Sequence, residues 1–295
     1  MQQSDQSGSV AIDMALEDVN DIISNKIGNG HVHQSNQRVS NYNLPCGVVS
    51  LDSTEHSIDY QIYTIKYGDQ TPCGYSRKSG TVLFNLVHGA RYNEVGARFT
   101  IEFKKYKVEV LATGDIVEVN GVLHVTNYTG GYIWEAVTSS KTIEHKIRGT
   151  LQVLYLNGKE RTRNLFQSRT WASSNGWSGL NFMLAGDTII SGKKIVETGR
   201  TYEGNHQYQT EALTPLQWFN CGSGFAGPYR LQKGEFRMHL ELPAVDPSCF
   251  NVEAGYKWDI ENVGVDPVKV NDCNANAYKI SIKLGELSMT EYQLY

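Results

Sequence analysis

The sequence predicts an all-β protein, an antiparallel β-sandwich or meander of two β-modules with one short N-terminal helix. Three observations carry this. The composition is rich in Tyr (17) and Gly (28), and in Thr, Ser, Asn and Val, which suits pleated strands joined by tight turns. Beyond residue 40, apolar and polar residues alternate with a period of two through one segment after another. Asn120-Gly121 and Asn157-Gly158 stand between such runs, and a two-residue hairpin needs positive φ at both central positions, which Asn and Gly tolerate.

Taken in order, the first element is a helix. Ile12, Ala15, Leu16, Val19, Ile22 and Ile23 recur at the 3.6 spacing, with Ser9 as N-cap and Gly28 just past the end. Its polar face is acidic, so the apolar stripe is expected to dock on the first β-module and not on a membrane surface. Residues 1–9, MQQSDQSGS, lack the basic and then apolar run of a secretory leader and have the composition of a flexible tether. Strands follow at Tyr60–Ile65, through GTVLFNLVHG from Gly80, and through ARFTIEFK from Ala97. Ser191-Gly192 and Leu284-Gly285 are weaker turn signals, and the chain closes on a hairpin around Gly285. The expected organisation is residues 1–40 as tether and helix, 41–205 as a first β-module and 206–295 as a second.

Charge and length exclude several classes. There are 27 basic and 31 acidic residues, a net charge of −4, scattered along the chain and not gathered into the cationic surface that nucleic acid requires. Lys104, Lys105 and Lys107, and then Lys159, Arg161 and Arg163, read as solvated strand faces. No apolar stretch approaches the roughly 20 residues of a membrane-spanning helix.

Five cysteines are present, four of them in turn contexts: Cys46, Cys73, Cys221 and Cys273. Zinc knuckles need closely spaced pairs that are absent, so disulfides are expected, Cys46 with Cys73 and Cys221 with Cys273. Each would stabilise the fold by roughly 3 to 4 kcal/mol on the loop-entropy model. Cys249 is left over, and its pairing with Cys221 or Cys273 is the alternative.

The run Gly80-Thr81-Val82, the segment VGARFTIEF, Tyr106 with Val108, Asn120-Gly121 and Val125-Thr126-Asn127 resembles a family of β-rich lipoproteins of unknown function from Bacteroidota. Gly68-Asp69 with Cys73, Arg169-Thr170-Trp171 with Trp177, Gly186-Asp187, and Cys221 with Cys273 extend the resemblance over most of the chain after residue 45. The segment between Cys221 and Cys273 is longer than the family pattern and carries the extra Cys249. The resemblance implies export and a surface anchor, with membrane contact only through an N-terminal lipid, and it transfers no catalytic residue.

Candidate sites are few. His31 and His33 share a face if extended, as a metal pair would, but lack a third ligand nearby. Asp259 and Glu261 share a strand face, and paired carboxylates are what glycoside hydrolysis uses. A Cys73 nucleophile would need His56 or His88 as its base. Trp171 and Trp177 flank WASSNGW, a turn that would expose both rings for stacking on a glycan; Trp134, Trp218 and Trp258 are expected in the core. No hydrolase, zinc-protease or phosphate-loop motif occurs, and no cofactor is implied. The expected role is therefore an exported or surface-anchored, non-enzymatic protein that binds a glycan or a surface protein or serves structurally in the envelope. A carbohydrate-active enzyme or carbohydrate-binding module is the alternative.

Overall fold

The structure, a computed structural model, describes residues 3–23, 44–57, 60–69, 72–74, 76–87, 91–111, 114–200, 205–221, 229–241, 247–257, 268–269, 273 and 277–294. It is an all-β antiparallel fold with one N-terminal helix. Helix α1 spans Gln3–Ile22. The strands are β1 (Val48–Ser57), β2 (Tyr60–Tyr67), β3 (Pro72–Cys73), β4 (Ser76–Leu86), β5 (Ala97–Val110), β6 (Asp115–Asn127), β7 (Ile143–Tyr155), β8 (Glu160–Ser173), β9 (Leu180–Gly186), β10 (Thr188–Ile190), β11 (Lys193–Arg200), β12 (Gln207–Asn220), β13 (Tyr229–Leu240), β14 (Ser248–Lys257), β15 (Val268–Lys269), β16 (Ala277–Leu284) and β17 (Leu287–Leu294), with a single turn of helix, α2, at Glu135–Thr138. Two compact units are distinguishable. The first holds Met1–Ile133, Ile147–Leu165 and Arg200–Asn205; the second holds Trp134–Lys146, Phe166–Gly199 and His206–Tyr295.

In the first unit β1, β2, β4, β5 and β6 pair in sequence, with β3 against the start of β4. Alternate residues of these strands, Tyr63 and Ile65, Val82 and Phe84, Phe99, Ile101 and Phe103, Leu123 and Val125, point into one core. The apolar stripe of α1 fills the same core: Ala11, Ile12, Ala15, Leu16, Val19, Ile22 and Ile23 are each at most 2% exposed. Burial of each bulkier one contributes roughly 1.5–3 kcal/mol. The helix starts at Gln3, so residues 3–9, expected as tether, are helical and Ser9 is not its cap. Ser9 instead accepts a hydrogen bond from Arg163 Nη2 at 3.0 Å, which ties the helix to β8.

Turn chemistry is borne out at two places, in part at a third, and fails at a fourth. Asn157-Gly158 does lie in the hairpin between β7 and β8, but the loop has four residues, 156–159, and only Gly158, at φ +77°, takes the positive φ expected of both. Ser191 and Gly192, at φ +51° and +80°, form the two-residue turn joining β10 to β11, and Gly285, at +56°, begins the turn from β16 to β17. Asn120-Gly121 is no hairpin: β6 runs straight through it, opposite a bulge where the β5–β6 register slips between Phe103 and Tyr106. Lys105 is left with φ +49°, and its N–H donates to Asn120 Oδ1 at 2.8 Å. The dipeptide serves a bulge, a second way of using a residue that bonds local backbone.

The second unit pairs the end of β8 with β9, then β9 with β12, and continues through β13, β14, β16 and β17, with a β10–β11 hairpin and β15 against β14. Ile143, Trp171, Leu180, Leu184, Ile195, Val196 and Tyr208 are its buried apolar residues on β7 to β12.

Candidate functional site

The alternation along β8 is strict, and it buries Arg161, Arg163, Leu165, Gln167, Arg169 and Trp171 in turn. That reverses two expectations. Arg161 and Arg163, read as a solvated face, are 5% and 7% exposed. Each has a donor in use inside the fold: Arg161 Nε donates to the carbonyl of Arg200 and Arg163 Nη2 to Ser9. Trp171, expected as an exposed sugar platform, is 5% exposed. Its ring meets His145 edge-on at 4.9 Å and stacks on Phe182 at 5.3 Å, and Phe182 stacks on Trp218 at 4.9 Å. Register explains the row, since Trp171, Phe182 and Trp218 are direct partners across three strands. Trp171, stacked on Phe182 and buried, has no exposed face to offer a pyranose. Trp177 opens a short 3-10 turn, Trp177–Gly179, and is half-buried, so the two rings do not form one exposed pair.

Lys104 and Lys107, by contrast, are solvated as expected and pair with Glu102 at 3.3 Å and Glu118 at 3.1 Å. Cys46 is bonded to Cys73 and Cys221 to Cys273, with Cα separations of 5.6 and 5.4 Å, and Cys249 is a free thiol. The bond removes Cys73 as a nucleophile. His31, His33, His88, Trp258, Asp259 and Glu261 lie outside the residues whose structure is described, as does the side chain of His56. Among the described residues no group of three or more His, Cys, Asp or Glu gathers as a metal site.

Two buried polar groups escaped sequence reading. Lys78 Nζ lies 2.7 Å from Asp18 Oδ2, and the Tyr67 hydroxyl donates to the same oxygen at 3.0 Å. Burial raises the Asp18 carboxyl above its ordinary range, against the pull of Lys78. His145 is wholly buried; burial first, and the charge of Arg169 second, lower its pKa from 6.5 to about 3.

The C-terminal sheet has two unlike faces. On one, Glu211, Arg237, Cys249 and Lys283 are in register across β12, β13, β14 and β16. Arg237 Nε donates to Cys249 Sγ at 3.3 Å, while Glu211 Oε2 lies 3.1 Å from His239 Nε2 and 3.8 Å from Arg237 Nη1. Lys193 Nζ sits 3.4 Å from His239 Nδ1. A neutral imidazole with its proton on Nε2 fits both contacts, accepting from the lysine and donating to the carboxylate. The arrangement is a polar brace across strands. On the other face Ala212, Phe236, Ile282 and Met289 lie in one row, in register through Phe250, and Met238, Leu284 and Leu287 share a neighbouring row. Phe236, Met238 and Ile282 are half-buried, and Leu284, Met289 and Leu287 are 39%, 56% and 73% exposed. The alternation AYKISIKL and LSMTEYQLY announces two-faced strands, but alternation reads the same whether or not anything covers the apolar face.

A comparison with protein-family models, curated proteins and solved structures finds no match to this chain.

Proposed function

We propose that this chain is an exported protein of the cell envelope with a binding or structural role and no catalytic one, held at the surface by a lipid at its N-terminus. The observation that carries export is the pair of cystines, Cys46–Cys73 and Cys221–Cys273, since disulfides persist in oxidising compartments and are reduced in the cytosol. The non-catalytic role is supported by where the buried ionisable groups are spent. Asp18 and Lys78 neutralise each other, His145 is held neutral against Trp171, and the Glu197 carboxylate accepts from the Tyr208 hydroxyl. Each has a partner within the fold, where a catalytic acid or base would face a substrate.

Thiol labelling of protein taken directly from its native compartment tests export. One thiol, Cys249, is expected to react with iodoacetamide in denaturant before reduction and five after it. Five reactive thiols before reduction would refute the reading.

A further inference from the structure

We infer that Asn175, in the turn from β8 to β9, is a self-modifying site: the backbone nitrogen of Gly176 attacks its side-chain amide, and the asparagine becomes aspartate and isoaspartate. Asn-Gly occurs four times in the chain, at Asn29, Asn120, Asn157 and Asn175, and in each the glycine carries no Cβ to shield its nitrogen. Asn29-Gly30 lies outside the described residues, and the other three differ in what holds their reacting atoms. At Asn120, within β6, Oδ1 accepts from the Lys105 N–H at 2.8 Å and Nδ2 donates to Glu118 at 2.9 Å. A Cβ on Gly121 would lie 2.5 Å from the Thr150 carbonyl, so β7 also denies this backbone the room to swing. At Asn157 both reacting groups are engaged: Oδ1 accepts from the Lys159 N–H at 3.1 Å, and the Gly158 N–H donates to the Tyr155 carbonyl at 2.8 Å. Asn175 and Gly176 are exposed, and among the described residues neither the Asn175 side chain nor the Gly176 N–H makes a hydrogen bond. The bonds of that turn go elsewhere. The Asn175 N–H donates to Ser173 Oγ and Ser178 Oγ to the Asn175 carbonyl, each at 3.3 Å, and Ser173 Oγ donates to the Gly176 carbonyl. They hold the backbone around the pair and leave the amide and its attacking nitrogen free.

In the reaction the Gly176 nitrogen bonds to Asn175 Cγ, and its proton passes through solvent to Nδ2. The Cγ–Nδ2 bond breaks, ammonia leaves and a succinimide ring closes. Water then opens the ring at either carbonyl, giving aspartate or an isoaspartate whose main chain runs through Cγ and is longer by one methylene. Either product adds a carboxylate two residues before Trp177.

Peptide mapping by mass spectrometry tests this on the folded full chain, held for days in warm, mildly alkaline buffer and sampled in time. The peptide carrying Asn175 is expected to convert first. Asn157 should follow on the order of tenfold more slowly, because two hydrogen bonds must open before attack, and Asn120 more slowly still. In concentrated urea the same three sites should convert at similar rates, since nothing then holds their reacting atoms. Asn157 or Asn120 converting as fast as Asn175 in the folded chain, an Asn175 that stays intact, or the same ranking in urea would overturn the proposal.

Discussion

At Asp18 a charge is taken out of water, and two neighbours compensate it. Lys78 lies at 2.7 Å and the Tyr67 hydroxyl at 3.0 Å, with the ammonium 5.9 Å above the Tyr67 ring. A buried pair contributes little beyond its own desolvation, but a buried single ion is expensive. Lys78→Met, which strands the carboxyl, is therefore expected to lower unfolding free energy by about 3–5 kcal/mol in urea titration, and Asp18→Leu with Lys78→Met to recover most of the loss. If the double variant is as unstable as the single, the pair is more than a self-cancelling polar insert. His145 gives the pH dependence. Its proton is refused in the fold until about pH 3 and taken up by the unfolded chain near 6.5, so the unfolded state binds more protons between these values. Stability should therefore fall as pH falls through that window, by roughly 1.4 kcal/mol per unit. His145→Phe keeps a ring against Trp171 and removes the titration, so its stability curve between pH 7 and pH 4 should be flatter than that of the wild type by about that slope.

Among the elements, what alternation shows is that a strand has two faces, and which face is inside depends on the partners. On β8 the period of two was legible from Arg161 and Arg163, yet their side chains are buried because Arg200 and Ser9, 39 and 154 residues away, accept from them. No local pattern carries such distant acceptors. Trp171 follows the same rule, since its partners Phe182 and Trp218 are fixed by strand register. Helix α1, by contrast, was legible from its stripe alone, and so were the disulfides, because turn residues around a cysteine are local. Asn120-Gly121 marks the boundary of such reading: positive φ was expected and Gly121 has it, at +126°, but inside a strand. The bulge it faces depends equally on Gly80, whose φ is +93° and whose added Cβ would collide with the Lys105 carbonyl and crowd Tyr106 Cα at 2.9 Å. Gly80→Ala should cost at least ~2 kcal/mol, from φ strain and displaced backbone together. Gly158→Ala shares the positive φ, at +77°, but meets nothing within 4 Å, and should cost about 1 kcal/mol. Equal thermal shifts in the two variants would show that the crowding at Gly80 is relieved by movement of β5.

For the whole molecule, stability is distributed unevenly between the two units. The first is filled by a helix and the inner faces of its strands. In the second, the strands from β13 onward carry few fully buried side chains among the described residues, Val252 and Ala277 being two of them. A sheet with little core to hold it gains more, in proportion, from restricting its unfolded chain. Cys221–Cys273 closes a separation of 52 residues against 27 for Cys46–Cys73, and the loop-entropy model values the two at about 4 and about 3.5 kcal/mol. Replacing Cys221 and Cys273 by serine is thus expected to cost at least as much as replacing Cys46 and Cys73, measured by urea unfolding without reductant. Adding dithiothreitol to the wild type should bring it to the level of the chain lacking all four. A loss below about 1 kcal/mol for the Cys221 pair would mean that the C-terminal strands are held by packing after all, and the face best placed to supply that packing is the one carrying Phe236, Ile282 and Met289.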